Sequence, residues 1–400
     1  MRVLIITAAY PPSSGGVATH VANLAHGLIH ASQRNSVCVL TLAKNKWNRT
    51  YENRQLVVWK IPQKTVPNFF GRRAPYEDVM STAMRRLNAS DVDLIHAHDF
   101  DSIQIGCMLK AGFRKPLIAT IHRAPTPWKR GRLIEEPKDC FVETIKVFKL
   151  CDALVVPSRC SRDILVDQGL ARNLIKIIPH GVSPKYLASF CNIDSILGDL
   201  HLERDEELIL CPVRAEHHKD PLTFVRAAGL LKQKMLKQNA TRRLRFLVTC
   251  EKQDPDYDVL STVAKQIGIE PGRDIEFRCF ARRFMPTLYR RASACVVPSR
   301  RESFGQTVLE AFVYRTPVIA ANTSALKEIV HHGTTGLLFT DGNPEDLAGQ
   351  LERILVDNRL AARLRTNALR SVEKYYNSDR MVRQYRRLFQ RVIGKRTRKK

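Results

Sequence analysis

The pentapeptide Val-Val-Pro-Ser-Arg occurs twice in this chain, at residues 155–159 and again at 296–300. Each copy closes a short apolar run, Ala153 to Pro157 in the first case and Ala294 to Val297 in the second, and each opens onto a stretch with helical periodicity. A β-branched run that ends in a proline turn and then changes to a 3.6-residue period is a βα unit. Its recurrence in the two parts of the chain predicts two similar doubly wound α/β halves. Length agrees, because 400 residues suit two domains of about 150 to 200 residues, each with its own core.

Further runs fit the same alternation. In the first half strands are predicted at Arg2–Thr7, Ser36–Leu42, Leu56–Ile61, Asp93–Ala97, Pro116–Ile121 and Lys176–His180, with a helix over Val17–Ile29. In the second they fall at Leu208–Val213, Arg245–Thr249, Asp274–Phe277 and Thr316–Ala320. Helices follow over Asp341–Leu355, Arg359–Tyr375 and Ser378–Ile393.

The second pentapeptide leads into Arg-Glu-Ser-Phe-Gly-Gln-Thr-Val-Leu-Glu, with Glu302 in the turn and Glu310 about one turn inside a helix that starts near Gly305. In open α/β sheets this loop overhangs the ligand crevice at the strand ends. The backbone N–H groups of Phe304, Gly305, Gln306 and Thr307 are then helix N-terminal donors for phosphate or hydroxyl oxygens. Two carboxylates beside such donors suit a polyhydroxylated ligand that carries phosphate. The spacing alone also fits a dipole-compensating acid plus a solvated one.

Two other places repeat this logic. After the first strand, Pro11-Pro12-Ser13-Ser14-Gly15-Gly16 leads into a helix, which lets a backbone approach an oxygen at Gly15 and Gly16. It is not Gly-x-Gly-x-x-Gly, so a nicotinamide or flavin fingerprint is absent. After the first strand of the second half come Arg214 and Lys219, the two cations that a departing diphosphate needs; a solvated loop explains a bare Arg-x4-Lys pair equally. His96, His98 and His122 fall at strand C-termini, where metal ligands could sit, but no His-Glu-x-x-His or paired-carboxylate spacing accompanies them. The Asp-x-Asp strings at 91/93, 99/101 and 256/258 lack the context of a metal-binding loop, and no metal is expected. Trp128, beside Lys129 and Arg130 in the loop after His122, is a candidate acceptor contact.

Glu-x-Phe-Gly-x-x-x-x-Glu, followed by Thr316-Pro317-Val318-Ile319-Ala320, resembles the acid-seven-acid motif of retaining glycosyltransferases with the GT-B fold, the family 4 or group 1 type. The resemblance runs over about residues 2 to 375 and is strongest from 294 to 339. It implies two Rossmann-like doubly wound domains facing across a cleft. Their expected extents are 1–185 on the acceptor side, 186–377 on the nucleotide-sugar side, and 378–400 as a terminal helix crossing back to the first domain plus a basic tail. It further implies a hexosyl transfer with retained anomeric configuration, from a nucleotide diphosphate sugar as co-substrate and with no other cofactor. Glu302 would hold donor-sugar hydroxyls, Glu310 the ribose, Gly15 and Gly16 the diphosphate, and His122 the donor sugar near the reacting carbon. Phe280 would border the base, and His98 with Asp99 resembles a pair in related glucan synthases. The chain departs from the family pattern at Asp220-Pro221, where Gly is usual, at Ser293, where Asp is usual, and at Lys327, where Pro is common. Two alternatives remain at this level: a nucleotide-sugar 2-epimerase-like enzyme, and a non-catalytic basic protein that binds polyanions.

Composition bears on partners and place. The net charge of +26 attracts polyanions. No nucleic-acid motif accompanies it, so nucleic acid is not an expected partner. A glycan or lipid-linked acceptor is, and so is an anionic membrane surface, contacted by the aromatic and basic segment Lys64–Arg86 or by the tail 394–400 with its five cations. Ten scattered cysteines without a Cys-x-x-Cys pair, and no signal-like or spanning run, predict a cytoplasmic protein peripheral on the inner face of the membrane.

Overall fold

The computed structural model describes residues 1–13, 15–43, 48–62, 87–124, 128–129, 132–133, 138–182, 202–203, 205–237 and 242–397. The segment Lys64–Arg86, most of the stretch from Ser183 to Glu207, and tail residues 398–400 lie outside the described residues. The chain divides into two units. One takes Met1–Pro127, Ile134–Gly181 and Asn377–Lys400, and the other Val182–Tyr376 with Trp128–Leu133.

The first unit is built on strands β1 (Arg2–Thr7), β2 (Ser36–Ala43), β3 (Asn48–Asn53), β4 (Leu56–Pro62), β5 (Leu94–His98) and β6 (Leu117–Thr120). The short pair β7 (Trp128–Lys129) and β8 (Arg132–Leu133) stands apart as its own two-stranded sheet. Strands β9 (Ala153–Val156) and β10 (Ile175–Ile177) complete the main sheet in the order β10-β9-β6-β5-β1-β2-β4-β3. All neighbours are parallel except β3 with β4. The sequence reading misses β3, whose Asn-Arg-Thr-Tyr-Glu-Asn has no apolar alternation because it is a polar edge strand. It also places the last strand too late: β10 stops before Pro179, which has no N–H to give to the ladder.

Period-2 alternation sorts β1 onto two cores. Val3 and Ile5 join a cluster with Val21, Leu24 and Leu28 of α1 (Gly16–His30), and Leu4 and Ile6 join Ile103 and Leu109 of α2 (Phe100–Phe113). Helices α3 (Lys138–Lys149) and α4 (Arg159–Asp167) follow in the chain. The order places β1 beside β5, with earlier crossovers to one side and later ones to the other, so the switch point lies between the C-terminal ends of β1 and β5.

The second unit has strands β11 (Glu206–Cys211), β12 (Arg243–Val248), β13 (Ile275–Phe277), β14 (Ala292–Val297), β15 (Val318–Ala321) and β16 (Leu337–Phe339). Its all-parallel sheet has the order β13-β12-β11-β14-β15-β16. Counted from β11, that is the 3-2-1-4-5-6 arrangement of a Rossmann sheet, with its switch point between β11 and β14. Helices α5 (Pro221–Lys237), α6 (Tyr257–Gln266), α7 (Met285–Arg291), α8 (Gln306–Val313), α9 (Leu326–Ile329), α10 (Pro344–Val356) and α11 (Asn358–Tyr375) accompany it. Asn343 starts α10 as sequence rules require: its side chain accepts the Asp346 N–H, and Pro344 follows at the first helical position.

The last helix, α12 (Ser378–Thr397), returns to the first unit. Met381, Val382, Tyr385, Leu388 and Phe389 are buried in the same core as Val3 and Ile5. Two glycines permit this seat. A Cβ at Gly181 would lie 2.5 Å from Ser378 Cα, and one at Gly27 would overlap Val382. No described helix is long and apolar enough to cross a membrane.

Candidate active site

In the second unit the loops after β11 and β14 flank the switch point, and each carries part of the expected set. Leaving β11, the chain turns through Arg214 to a short 3-10 turn over His217–Lys219. Leaving β14, it runs through Pro298 to Gly305 before α8 begins. Lys219 Nζ donates to Glu302 Oε1 at 2.5 Å, with both side chains largely enclosed. The Glu302 loop is pinned from behind, because its N–H donates to Ser324 Oγ at 2.9 Å and its carbonyl accepts the Ala325 N–H at 3.3 Å. Arg214 is exposed and bonds Glu216 at 2.7 Å. Sequence reasoning reads both cations as available for an anion; each instead has a carboxylate partner, so an incoming anion must compete for it.

Glu310 lies on the first turns of α8. It accepts from Tyr289 Oη at 3.2 Å and from Arg282 Nη2 at 3.4 Å. Burial raises the pKa of Glu310, and Arg282 and Tyr289 oppose the rise. Phe280, two residues before Arg282, carries the Arg278 guanidinium 5.2 Å above its ring. The Phe304 ring is buried in the core, edge-on to Tyr376, so only its main chain can serve a ligand. Gly305 precedes α8, and helix geometry leaves the N–H groups of Gly305, Gln306 and Thr307 without intrahelical acceptors.

Gly305 has φ +105°, and a Cβ there would approach Leu326 Cδ2 at 3.0 Å. Gly305→Ala is therefore expected to cost roughly 1–3 kcal/mol, read as a lower urea midpoint, because a strained backbone adds to a tight contact. An unchanged midpoint would show that this turn tolerates a side chain.

In the first unit the switch point between β1 and β5 gathers imidazoles. His98 ends β5, His122 follows β6, His20 lies on the inner face of α1, and His180 follows β10; all are buried, with His96 inside β5. His98 Nδ1 and His122 Nε2 are 2.9 Å apart and share a proton, while His96 Nε2 meets Thr120 Oγ1 at 2.8 Å. Thr120 Oγ1 also bonds Tyr385 Oη at 3.0 Å, and Tyr385 Oη lies 3.4 Å from His20 Nε2. Burial depresses the pKa of every one of the five histidines, to about 3 for His96 and His122. All five rings are neutral at pH 7.

The ligand atoms of His20, His98 and His122 lie within 4.8 Å of one another, a spacing a divalent ion could bridge. As placed, His98 Nδ1 and His122 Nε2 are hydrogen-bonded to each other, one giving a proton and one a lone pair. Asp99 has φ +62° and accepts the His122 N–H at 3.4 Å, and burial lifts its pKa to about 6.

His98 is fully buried, with its Nδ1 against His122 Nε2. Trp128 opens β7, and its side chain lies outside the described residues. Of the glycine pair, Gly15 is the one that needs glycine, at φ +124°, while Gly16 is the first residue of α1. Sequence reasoning missed Arg282, Tyr289, His20, His180 and Tyr385. His180 ends a strand run and His20 follows the apolar positions of α1 by helical spacing, so both had a signal. Arg282, Tyr289 and Tyr385 had none.

The family described as Glycosyl transferases group 1 matches residues 193–371, and that described as Glycosyltransferase Family 4 matches residues 14–186. An uncharacterized glycosyltransferase of Methanocaldococcus jannaschii is 25% identical over 391 residues, which is 96% of each chain. A D-inositol 3-phosphate glycosyltransferase of Streptosporangium roseum is 29% identical over 66% of this chain and 61% of its own length, so this chain spans less than two thirds of that relative. Among solved structures, Anabaena HepE in complex with UDP and glucose superposes with a TM-score of 0.78 at 18% identity, over 98% of this chain and 99% of that one. Sucrose-phosphate synthase of Thermosynechococcus elongatus gives the same TM-score and coverage at 19% identity.

Proposed function

For a chain that belongs to the group 1, family 4 type of GT-B glycosyltransferases, we propose transfer of a hexosyl unit from a nucleotide diphosphate sugar to a hydroxyl of a glycan or lipid-linked acceptor, with retention and without a metal ion. The observation that carries this reading is the pair of carboxylates at the β11/β14 switch point, each held by its own cation: Glu302 by Lys219, and Glu310 by Arg282 with Tyr289. Structures of HepE hold UDP and UDP-glucose, which favours a nucleotide sugar as the ligand here.

Bond cleavage develops negative charge on the diphosphate and positive charge on the sugar. Lys219 and Arg214 are read as the diphosphate clamp, joined by the N–H groups of Gly305, Gln306 and Thr307. Once Lys219 turns to phosphate, Glu302 is released to accept from sugar hydroxyls. Glu310, gripped by Arg282 and Tyr289, is oriented to accept from the ribose hydroxyls, and Phe280 borders the base. His122 is neutral, so it can donate to or accept from a sugar hydroxyl without repelling an oxocarbenium-like centre. His98 fixes the tautomer of His122, and Asp99 holds its main chain.

The test is thermal stabilisation by UDP-, GDP- and ADP-sugars, for the wild type and for Glu310→Ala. One nucleotide should raise Tm in the wild type and clearly less in the variant. No shift with any of them would remove the donor-site reading. Release of nucleoside diphosphate with no acceptor product would point to epimerase-like or hydrolytic chemistry instead.

A further inference from the structure

Ten of residues 380–400 are Lys or Arg and none is Asp or Glu, an imbalance found nowhere else in the chain at this length. Helix α12 sorts these charges onto one side. Its core face, Met381, Val382, Tyr385, Leu388, Phe389 and Val392, is buried. Arg380, Arg383, Arg387, Arg391 and Lys395 follow at spacings of three and four, and all five are exposed. At 100° per residue they span an arc of about 120°, and at 1.5 Å per residue a length of about 22 Å. No carboxylate lies within ion-pair distance of these five side chains among the described residues. Helices in contact with water alone normally intersperse acids, which relieve such repulsion and support the helix at i,i+4.

We propose that this stripe is a docking surface for an anionic lipid bilayer. The apolar face of α12 is consumed by packing in its own unit, so the helix cannot insert, and its contact with lipid is electrostatic adsorption to headgroups. A band of point charges along one exposed helix face can meet a flat anionic plane along its length. Single-stranded nucleic acid asks for a groove with stacking aromatics, and the positions within this arc between the cations are Gln384 and Gly394. The sequence reading offers the segment Lys64–Arg86 or the tail 394–400 for membrane contact; the proposal places it on the folded helix instead.

The experiment is co-sedimentation of the full chain with phosphatidylcholine vesicles containing or lacking 30% phosphatidylglycerol, in 50 mM and 500 mM salt. Binding is expected only to the anionic vesicles and only at the lower salt, because screening shortens the reach of exposed charges. Arg383→Glu/Arg387→Glu/Arg391→Glu should lower the partition coefficient roughly 100-fold or more. Its circular dichroism and nucleotide-induced Tm shift should match wild type, which separates this surface from the donor site. Failure of the wild type to sediment, equal binding to neutral vesicles, or equal binding by the triple variant would each overturn the proposal. So would a variant that still binds while a chain lacking 394–400 does not, which would give the surface to the tail. Tight binding to duplex DNA with none to vesicles would assign the stripe to nucleic acid.

Discussion

Glu302→Gln is expected to lower kcat by about 10²- to 10³-fold while the KM for the nucleotide sugar changes only a few-fold, and Glu310→Ala should do the reverse. Removal of one preorganised polar partner of the transition state typically costs this much in turnover, whereas a lost ground-state contact appears in KM. The two acids differ in what they touch. Glu302 accepts from the Lys219 ammonium, which on the proposed reading an incoming diphosphate draws away. Glu310 accepts from the buried Tyr289 and from the exposed Arg282, so on the proposed reading its carboxylate is a fixed acceptor. Steady-state kinetics with the nucleotide sugar identified by thermal shift decides the matter. Equal effects of both substitutions on kcat would remove the division of labour. Glu302→Gln also leaves Lys219 without its carboxylate, so a urea titration of the variant accompanies the kinetics. Lys219→Met as a second variant separates lost binding of phosphate from lost orientation of Glu302.

The second large effect concerns pH. Cooperative loss of the first unit's structure is expected between pH about 5 and 6, well above the acid limit of most domains. His20, His96, His98, His122 and His180 have folded pKa values below the ordinary 6.5, so the unfolded chain binds more protons than the native one as pH falls below 6.5. Stability from these groups is therefore complete above 6.5 and is lost progressively as pH falls, down to about 3 for His96 and His122. At pH 5.5, one unit below the ordinary value, each has forfeited on the order of 1 kcal/mol, and the five together several. Asp99 has the opposite sign: its raised value of about 6 penalises the folded state at neutral pH, and acidification to pH 5.5 returns about 1 kcal/mol. The net loss, several kcal/mol, is of the order of a domain's whole stability. Circular dichroism followed from pH 7.5 to 4, with fluorescence of Trp59 in β4, reads the transition. A fold that survives to pH 4 would mean that these rings reach solvent. His180→Asn, which removes one titrating ring, should move the midpoint downward.

How much of this was legible in the sequence depends on what kind of signal each feature leaves. The two Rossmann-like sheets were legible because parallel strands buried on both faces leave continuous apolar runs, such as Leu208–Cys211 and Ala294–Val297. The polar edge strand β3 was not, since its one partner is β4 and its side chains face water. Gly305, Glu302 and Lys219 were legible as members of a strand–turn–helix at a switch point. That Lys219 bonds Glu302 was not, because their contact spans 83 residues of chain and depends on β11 pairing with β14. Tyr385 is the extreme case: in the sequence it is one more apolar position in an amphipathic helix, and only the fold brings its hydroxyl to Thr120, 265 residues earlier.

The seat of α12 also sets an order of events. The cluster around Val3 and Ile5 stays open until Met381, Val382, Tyr385, Leu388 and Phe389 have been made, some 370 residues after β1. At synthesis rates of about 5–20 residues per second, that is a wait of roughly 20 to 70 seconds. The second unit draws its core from Val182 to Val372 and can close first, although its first residue is made long after β1. The first-made sheet is therefore the last to be finished. A released chain cut short within α12 keeps every residue of the second core but leaves the first with an apolar face that has nothing to cover it.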